Sequence, residues 1–370
     1  MSPVAEAKNN TETADGEAAV MSQYSTQAGN INADVASKNE IILYYKYAHV
    51  VDPEGFVKWH KDVCSKLGLK GRVLIAHEGI NGTLEGSVEA TARYCELLLA
   101  QDGSEGTFGD FSTTIFKRSP GTKDGTAFPK LKVKVRTEVV SLALERSAET
   151  DVDPNTTTGI HLKPEELKSW YENGEDFIVV DMRNDYEFKV GHFKNSIHPG
   201  LRNFRDLAEK VSELDEVKEA SRQGKKILNV CTGGIRCEKA SGFLIKKGFE
   251  NIYQLDGGMH TYMEKYPGQD FLGSLYVFDG RETMEFATEK GLPREIVGKC
   301  DTCSSTTETF ANCANDECHA KILCCVECQN KAKAEHKEKT RSDVAISTSG
   351  SFVFCSESCK AHGAGHDKRD

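Results

Sequence analysis

The sequence has no run of eighteen apolar residues, so no segment is expected to cross a bilayer as a helix. Its first twenty residues, MSPVAEAKNNTETADGEAAV, lack the basic start and apolar centre of a secretory signal. They also carry too many acids and too few arginines for a transit peptide. Excess positive charge is missing too: 47 Lys and Arg stand against 57 Asp and Glu, for a net charge of −10. That argues against a general affinity for nucleic acid, but not against a local basic site. Cysteine is scarce up to residue 299 and dense after it, where nine of the 13 fall. These absences predict a cytoplasmic protein with no membrane partner. In a reducing compartment the late cysteines read as metal ligands rather than disulfides.

Charged residues make up 28% and hydrophobic residues 38% of the 370, enough for two or three domains. Residues 1–39 read as a disordered polar tail. The first folded unit is expected over 40–146. IILYYKYA reads as a strand, and EGFVKWHKDVCSKLGL as a helix with Phe56, Trp59, Val63 and Leu67 on one side. RVLIAHEGI and TLEGS read as two strands joined by a turn at Asn81-Gly82. VEATARYCELLLA is a second helix and LKVKVRTEVVSLAL a long final strand. The order β-α-β-β-α-β is that of a ferredoxin-like sandwich.

A polar linker is expected at 147–158, and a second unit at 159–280. There DFIVVDM, KILNV and NIYQL suit buried parallel strands, and the helix RCEKASGFLIKK lies between the last two, closed by Gly248. Alternating strands and helices imply a parallel α/β sheet, with ligands at the carboxyl ends of its strands. Cys231 stands at such an end. Thr232, Gly233, Gly234, Ile235 and Arg236 follow it, and then the helix. The glycines allow a tight turn that points N–H groups inward, and the helix start adds positive potential. Such a setting lowers a thiol pKa from its usual ~8.5. Cys231 and Arg236 are therefore the expected catalytic residues, with Arg236 closing the loop by a forked donation. Residues Thr232 to Ile235 are the expected substrate cradle. Cys237, inside the helix, reads as a packed core cysteine ahead of a resolving thiol.

Four residues separate Cys231 from Arg236, where protein tyrosine phosphatases use five. The tighter loop resembles that of rhodaneses, the sulfurtransferases. DMRNDYEFKVGHFKNSIHPG (181–200) and LDGGM (255–259) resemble other rhodanese signatures. The strings CTGGIRCEKAS, HEGINGTLEG (77–86), FPKLKVKVR (128–136) and YVFDGR (276–281) narrow the resemblance to the tRNA uridine hydroxylase family. It extends over about residues 40–360. It implies an acylphosphatase-like N-terminal domain, a rhodanese domain and a C-terminal extension. It also implies oxygen-dependent 5-hydroxylation of the wobble uridine of tRNA, with Cys231 as the essential cysteine. The alternative is a sulfurtransferase working through a Cys231 persulfide.

An RNA substrate suits KLKVKVR. On a strand, Lys130, Lys132, Lys134 and Arg136 fall on one face, with Leu131, Val133 and Val135 on the other. Such a strip can follow phosphates. They belong to a wider basic stretch that includes Lys117, Arg118 and Lys123.

The last unit, 295–362, carries four cysteine pairs: Cys300/Cys303, Cys313/Cys318, Cys325/Cys328 and Cys355/Cys359. Eight thiolates suffice for two tetrahedral zinc sites of structural type. Cys324 is the odd one out, His319 is a substitute ligand, and KAKAEHKEKTRSDV (331–344) reads as a polar loop. The pairing is not readable from spacing, although a crossed arrangement would brace a module with little core.

Overall fold

The stretch 39–47 is apolar on both sides rather than alternating, and the fold covers both its faces. In the computed structural model, which describes residues 39–142, 152–286, 295–318, 320–340, 347–348 and 350–363, it forms β1 (Asn39–Tyr47). Ile42 and Tyr44 point into a helix-covered core with Phe56, Val73, Leu84 and Tyr94. Leu43 and Tyr45 point the other way. Residues 1–38 of the expected N-terminal tail, 147–151 of the linker and His319 lie outside the described residues, and Asn39, the last residue of the expected tail, already belongs to β1.

Helix α1 (Pro53–Lys66) starts where Asp52 accepts from the Gly55 N–H at 2.9 Å and Pro53 pre-sets the first turn. β2 (Lys70–Ala76) and β3 (Gly79–Ser87) form the hairpin, and α2 (Val88–Leu99) is capped by Ser87. β4 (Ile115–Pro120) and β5 (Leu131–Val135) complete a sheet of order β4-β1-β3-β2-β5. The first four strands make the ferredoxin-like sandwich.

Three expectations are corrected here. The hairpin turns at His77-Glu78, and Asn81-Gly82 lies inside β3. Gly82 is needed for close approach instead, since a β-carbon there would stand 2.3 Å from the Tyr44 ring. The last strand of the sandwich is IFKRSP, antiparallel to β1. LKVKV is an added edge strand parallel to β2, and it ends at Val135. IFKRSP escaped notice because it is short and rich in polar residues.

The second sheet is wholly parallel. Its strands are β6 (Ile160–Leu162), β7 (Phe177–Asp181), β8 (Ser196–Ile197), β9 (Lys226–Val230) and β10 (Ile252–Leu255), in the order β6-β10-β9-β7-β8. Helices α3 (Pro164–Asn173), α4 (Asp185–Val190), α5 (Asp215–Arg222), α6 (Ile235–Lys246) and α7 (Gly258–Lys265) surround it. β9 is central and its last four residues are buried, which fixes the position of Cys231. The part of the linker that is described is not loose: Val152 is buried and packs on Gly242 of α6.

The cysteine-rich module holds a small antiparallel pair, β11 (Phe310–Asn312) and β12 (Lys321–Leu323), and helices α8 (Val326–Thr340) and α9 (Glu357–Gly363). α8 corrects the loop expected at 331–344 as far as Thr340. Its Lys, Ala and Glu are strong helix formers, but it is polar nearly all round, so no apolar period marks it. No helix among the described residues is long and apolar enough to cross a membrane.

Candidate active site and metal centres

Cys231 leaves β9 fully buried, and the chain turns at once into α6. Gly234 has φ +102° and donates its N–H to Cys231 Sγ at 3.2 Å. The loop has no space for larger residues. A β-carbon at Gly233 would stand 3.1 Å from Leu43 Cδ2, and one at Gly234 2.8 Å from the Tyr45 hydroxyl. One at Gly258 would meet the backbone of Thr232, Gly233 and Gly234 at 2.7 Å. The start of α7 is pinned to the loop by Met259 N–H to Cys231 O (2.9 Å) and His260 N–H to Thr232 O (3.0 Å).

Burial alone raises the Cys231 pKa. The Cys237 thiol, the Arg236 charge and the N–H groups of Cys237 and Gly234 outweigh it and bring it from 9.0 to about 6. The sulfur is therefore a thiolate at neutral pH, poised as a nucleophile. Cys237, buried beside it, is itself pushed up by burial and by the Cys231 charge, and stays a thiol donor.

Arg236 departs from the expected role. Its fork is taken by Glu187, with Nη1 to Oε2 at 2.7 Å and Nη2 to Oε1 at 2.9 Å, and Nη2 lies 3.3 Å from Thr232 Oγ1. The reason is that Glu187 is fully buried and needs a paired cation. Arg236 thus acts on Cys231 by its charge while bracing the loop. Asp181 and the fully buried Arg183 form a second brace, which also reaches Gly191 O at 2.6 Å.

The outer face of the N-terminal sheet closes the site. A cavity of about 290 Å³ lies between Cys231 and this face. Leu43, Tyr45, Leu74 and Phe128 give it apolar walls, while Arg72, Asn81, His260 and Arg281 bring polar groups. Thr232, Gly233, Ile235 and Arg236 line it too, and Gly234 donates to the sulfur behind them. The cover is tied down at several points. Lys239 of α6, 1% exposed, pairs with Glu78 (2.9 Å) and Glu138 (2.5 Å). The Tyr45 hydroxyl donates to Glu238 (3.1 Å), and that of Tyr47 to Ile235 O (3.3 Å). Arg281 binds Asp279 and reaches Ser119 and Pro120 of β4. The motifs HEGINGTLEG and YVFDGR therefore join the two folded units.

Lys132 and Lys134 stand exposed on β5, beside Arg72 and Leu74 of the cavity wall. Lys130 and Arg136 are exposed at its two ends. The alternation that suggested a basic strip also turns these side chains to the cavity side of the sheet. Spacing did not single out Lys117, His260 or Glu187. His260 is buried and lowered to about 3 by burial and by the charges of Lys117 and Arg281, so it is neutral. Lys117 comes from a strand of the covering sheet, whereas Glu187 and His260 come from helices α4 and α7, so no single local pattern marks the three.

The late cysteines gather in two groups, Cys300/Cys303/Cys325/Cys328 and Cys313/Cys318/Cys355/Cys359. The pairs are crossed, first with third and second with fourth. Within each group the sulfurs lie within 4.8 Å of one another. Cys303–Cys325 is 3.7 Å and Cys318–Cys355 3.6 Å. A tetrahedron with Zn–S bonds of ~2.3 Å has edges of about 3.8 Å, so each donor set fits such an ion. Backbone N–H groups of Cys325, Cys328 and Cys355 point at the sulfurs of Cys300, Cys325 and Cys313, as suits thiolates. Cys324 is buried outside both groups.

Three family models match along the chain. They are a UPF0176 acylphosphatase like domain over 39–139, a rhodanese-like domain over 163–265 and a rhodanase C-terminal region over 272–360. Among curated proteins, the tRNA uridine(34) hydroxylase of Cytophaga hutchinsonii is 38% identical over 323 residues, covering 87% of this chain and 90% of the relative. That of Enterococcus faecalis is 42% identical over 297 residues, covering 80% and 87%. That of Bacillus velezensis is 43% identical over 295 residues, covering 79% and 84%. With all three models matching in order and relatives aligned over most of both lengths, the chain belongs to the tRNA uridine(34) hydroxylase family.

Proposed function

We propose that this protein is a tRNA-modifying oxidoreductase that installs a hydroxyl at C5 of the wobble uridine, with Cys231 as its nucleophile. The observation that carries the reading is a buried thiolate at the floor of a cavity that a second domain roofs over. The cavity is near the lower end of the range for small-molecule sites, about 300–1,000 Å³, and its mix of apolar walls and a few polar groups suits a single flipped base. An anticodon-loop uridine is unpaired, so its extrusion is inexpensive. The exposed cations Lys130, Lys132, Lys134 and Arg136 border the roof and would take the backbone phosphates.

In this reading the thiolate adds to C6 of the ring and forms an S–C6 bond. The electron pair moves toward the C4 carbonyl and makes C5 electron-rich. Molecular oxygen supplies one atom to C5, and the other leaves as water at the expense of two electrons from a thiol-class reductant. Loss of the C5 proton then expels the thiolate. Thr232, Gly233, Gly234 and Ile235 shape the floor, and Arg236 keeps the sulfur ionised. The two four-cysteine groups would hold zinc and fix the C-terminal module.

Sulfur transfer through a Cys231 persulfide uses the same loop but needs neither the roof nor its basic border. The deciding experiment incubates unmodified tRNA with the protein, oxygen and a thiol, and measures nucleosides by mass spectrometry. The proposal expects 5-hydroxyuridine that depends on Cys231. Efficient sulfur transfer from thiosulfate without any 5-hydroxyuridine would replace it with the sulfurtransferase reading.

A further inference from the structure

One residue row crosses the N-terminal sheet from edge to edge: Lys132, Arg72, Thr83, Leu43 and Lys117, on β5, β2, β3, β1 and β4. Members of a row share a face. Arg72, Thr83 and Leu43 line the cavity. Leu43 rests on Gly233, two residues past the reactive sulfur. Lys117 is its neighbour on β4, whereas Arg118 turns to the opposite face and pairs with Glu40.

Lys117 is 8% exposed. Its Nζ stands 5.3 Å from the centre of the Tyr45 ring, and it makes no hydrogen bond or ion pair with any described residue. A buried ammonium with no acceptor is costly. The charges that act on it through space are those of Cys231, Asp256 and Glu238, of opposite sign, and it in turn helps keep His260 neutral, together with Arg281. Burial lowers Lys117 to about 8, against the pull of those anions, so it still carries charge at neutral pH.

We propose that Lys117 is a positioning cation of the Cys231 centre, lent by the N-terminal domain to hold negative charge on a group seated over the sulfur. That group is an anionic or strongly polarised oxygen or sulfur of the substrate. The proposal requires only that Cys231 is the reactive thiol, so it stands apart from the hydroxylation reading.

The test uses two alkylating probes on the full-length protein, anionic iodoacetate and neutral iodoacetamide. Both form an S–C bond with loss of iodide, and peptide-resolved mass spectrometry follows Cys231. The thiolate fraction cancels in the ratio of the two rates. Lys117→Met keeps the length of the stem and removes a buried charge, so it should fold with an unchanged or higher unfolding midpoint. The iodoacetate-to-iodoacetamide ratio should fall about tenfold in this variant. Lys117→Arg should hold the ratio within about threefold of wild type, because the charge remains. An unchanged ratio in Lys117→Met overturns the proposal, and so does an equal fall in Lys117→Arg. Failure of either probe to label wild-type Cys231 removes its premise. A wild-type protein that makes no 5-hydroxyuridine leaves the ratio untouched, so the two proposals fail separately.

Discussion

The Cys231 centre and the two four-cysteine groups use the same side chain in opposite ways. At the first, one sulfur is ionised by donors that are already in place: the Cys237 thiol, Arg236 and two N–H groups. At the others, four sulfurs stand within 4.8 Å of one another, and the one guanidinium among the described residues that reaches them, that of Arg202, touches only Cys355, at 4.0 Å. Four thiolates so close would repel, and a bound metal ion would offset that repulsion. The lone thiolate is stabilised by the fold and free to react. In the proposed reading the grouped ones hold a metal ion and brace the fold instead. The surroundings of a cysteine, not its ionisation alone, separate catalyst from staple.

Removing the reactive sulfur should have the largest effect. Cys231→Ser is expected to lower 5-hydroxyuridine formation by at least about a thousandfold, because a hydroxyl is a poor nucleophile at neutral pH. Far-UV circular dichroism should not change. Turnover near the wild-type level in this variant would break the comparison at its first term.

The grouped cysteines should answer in the reverse manner. Wild-type protein should contain about two zinc ions per chain by elemental analysis. Cys300→Ser should retain about one and loosen the module, seen as faster proteolysis after residue 295. Iodoacetamide labelling of Cys231 should stay within about threefold of wild type. A metal-free protein with a protease-resistant module would refute the metal assignment.

Arg236→Lys tests how the lone thiolate is held. A lysine cannot span both oxygens of the buried Glu187, so stability should fall by about 2–3 kcal/mol in chemical denaturation. Activity should drop by about one to two orders of magnitude. Full activity and stability would mean that the fork on Glu187 is dispensable.

A smaller effect is expected from changing Lys130, Lys132, Lys134 and Arg136 together to glutamine. Affinity for tRNA should fall, and its salt dependence should flatten by roughly 0.7–0.9 log units per lost phosphate contact. The labelling rate of Cys231 should not move. Unaltered tRNA binding would remove this strip from the RNA surface. The mildest perturbation is pH. Since the folded pKa of Cys231 lies below its ordinary value, reactivity should be full above pH 7 and decline about tenfold per unit below pH 6. A midpoint near 9 would mean that the surrounding donors do not hold the thiolate.

How legible each centre was in the sequence follows from where its parts lie. The grouped ligands sit in close pairs, and a pair of cysteines two to four residues apart is visible at once. Their crossed pairing was not, since it depends on how β11 and β12 bring distant pairs together. At Cys231 the loop, the glycines and Arg236 are contiguous, and so they were readable. Glu187, His260, Tyr45 and Lys117 come from four other elements, and no local spacing links them to the loop. The strand that carries Lys117 has no readable period, because IFKRSP is short and half polar. The next basic strand, LKVKV, has a cleaner alternation and was assigned the last place in the sandwich, which β4 occupies. Gly82 misled for a related reason: Asn-Gly usually signals a turn, but here the missing side chain makes room for Tyr44.

The buried pairing of Lys239 with Glu78 and Glu138 has a consequence for modularity. A lysine at 1% exposure whose only ion-pair partners among the described residues lie on the roof would be stranded if the roof were deleted. The second sheet would then show a raw apolar patch around Ile235 and an unneutralised charge beside it. The loop's floor and its roof thus depend on each other for their buried charges. A recombination joint placed between them would yield two insoluble halves rather than a smaller enzyme.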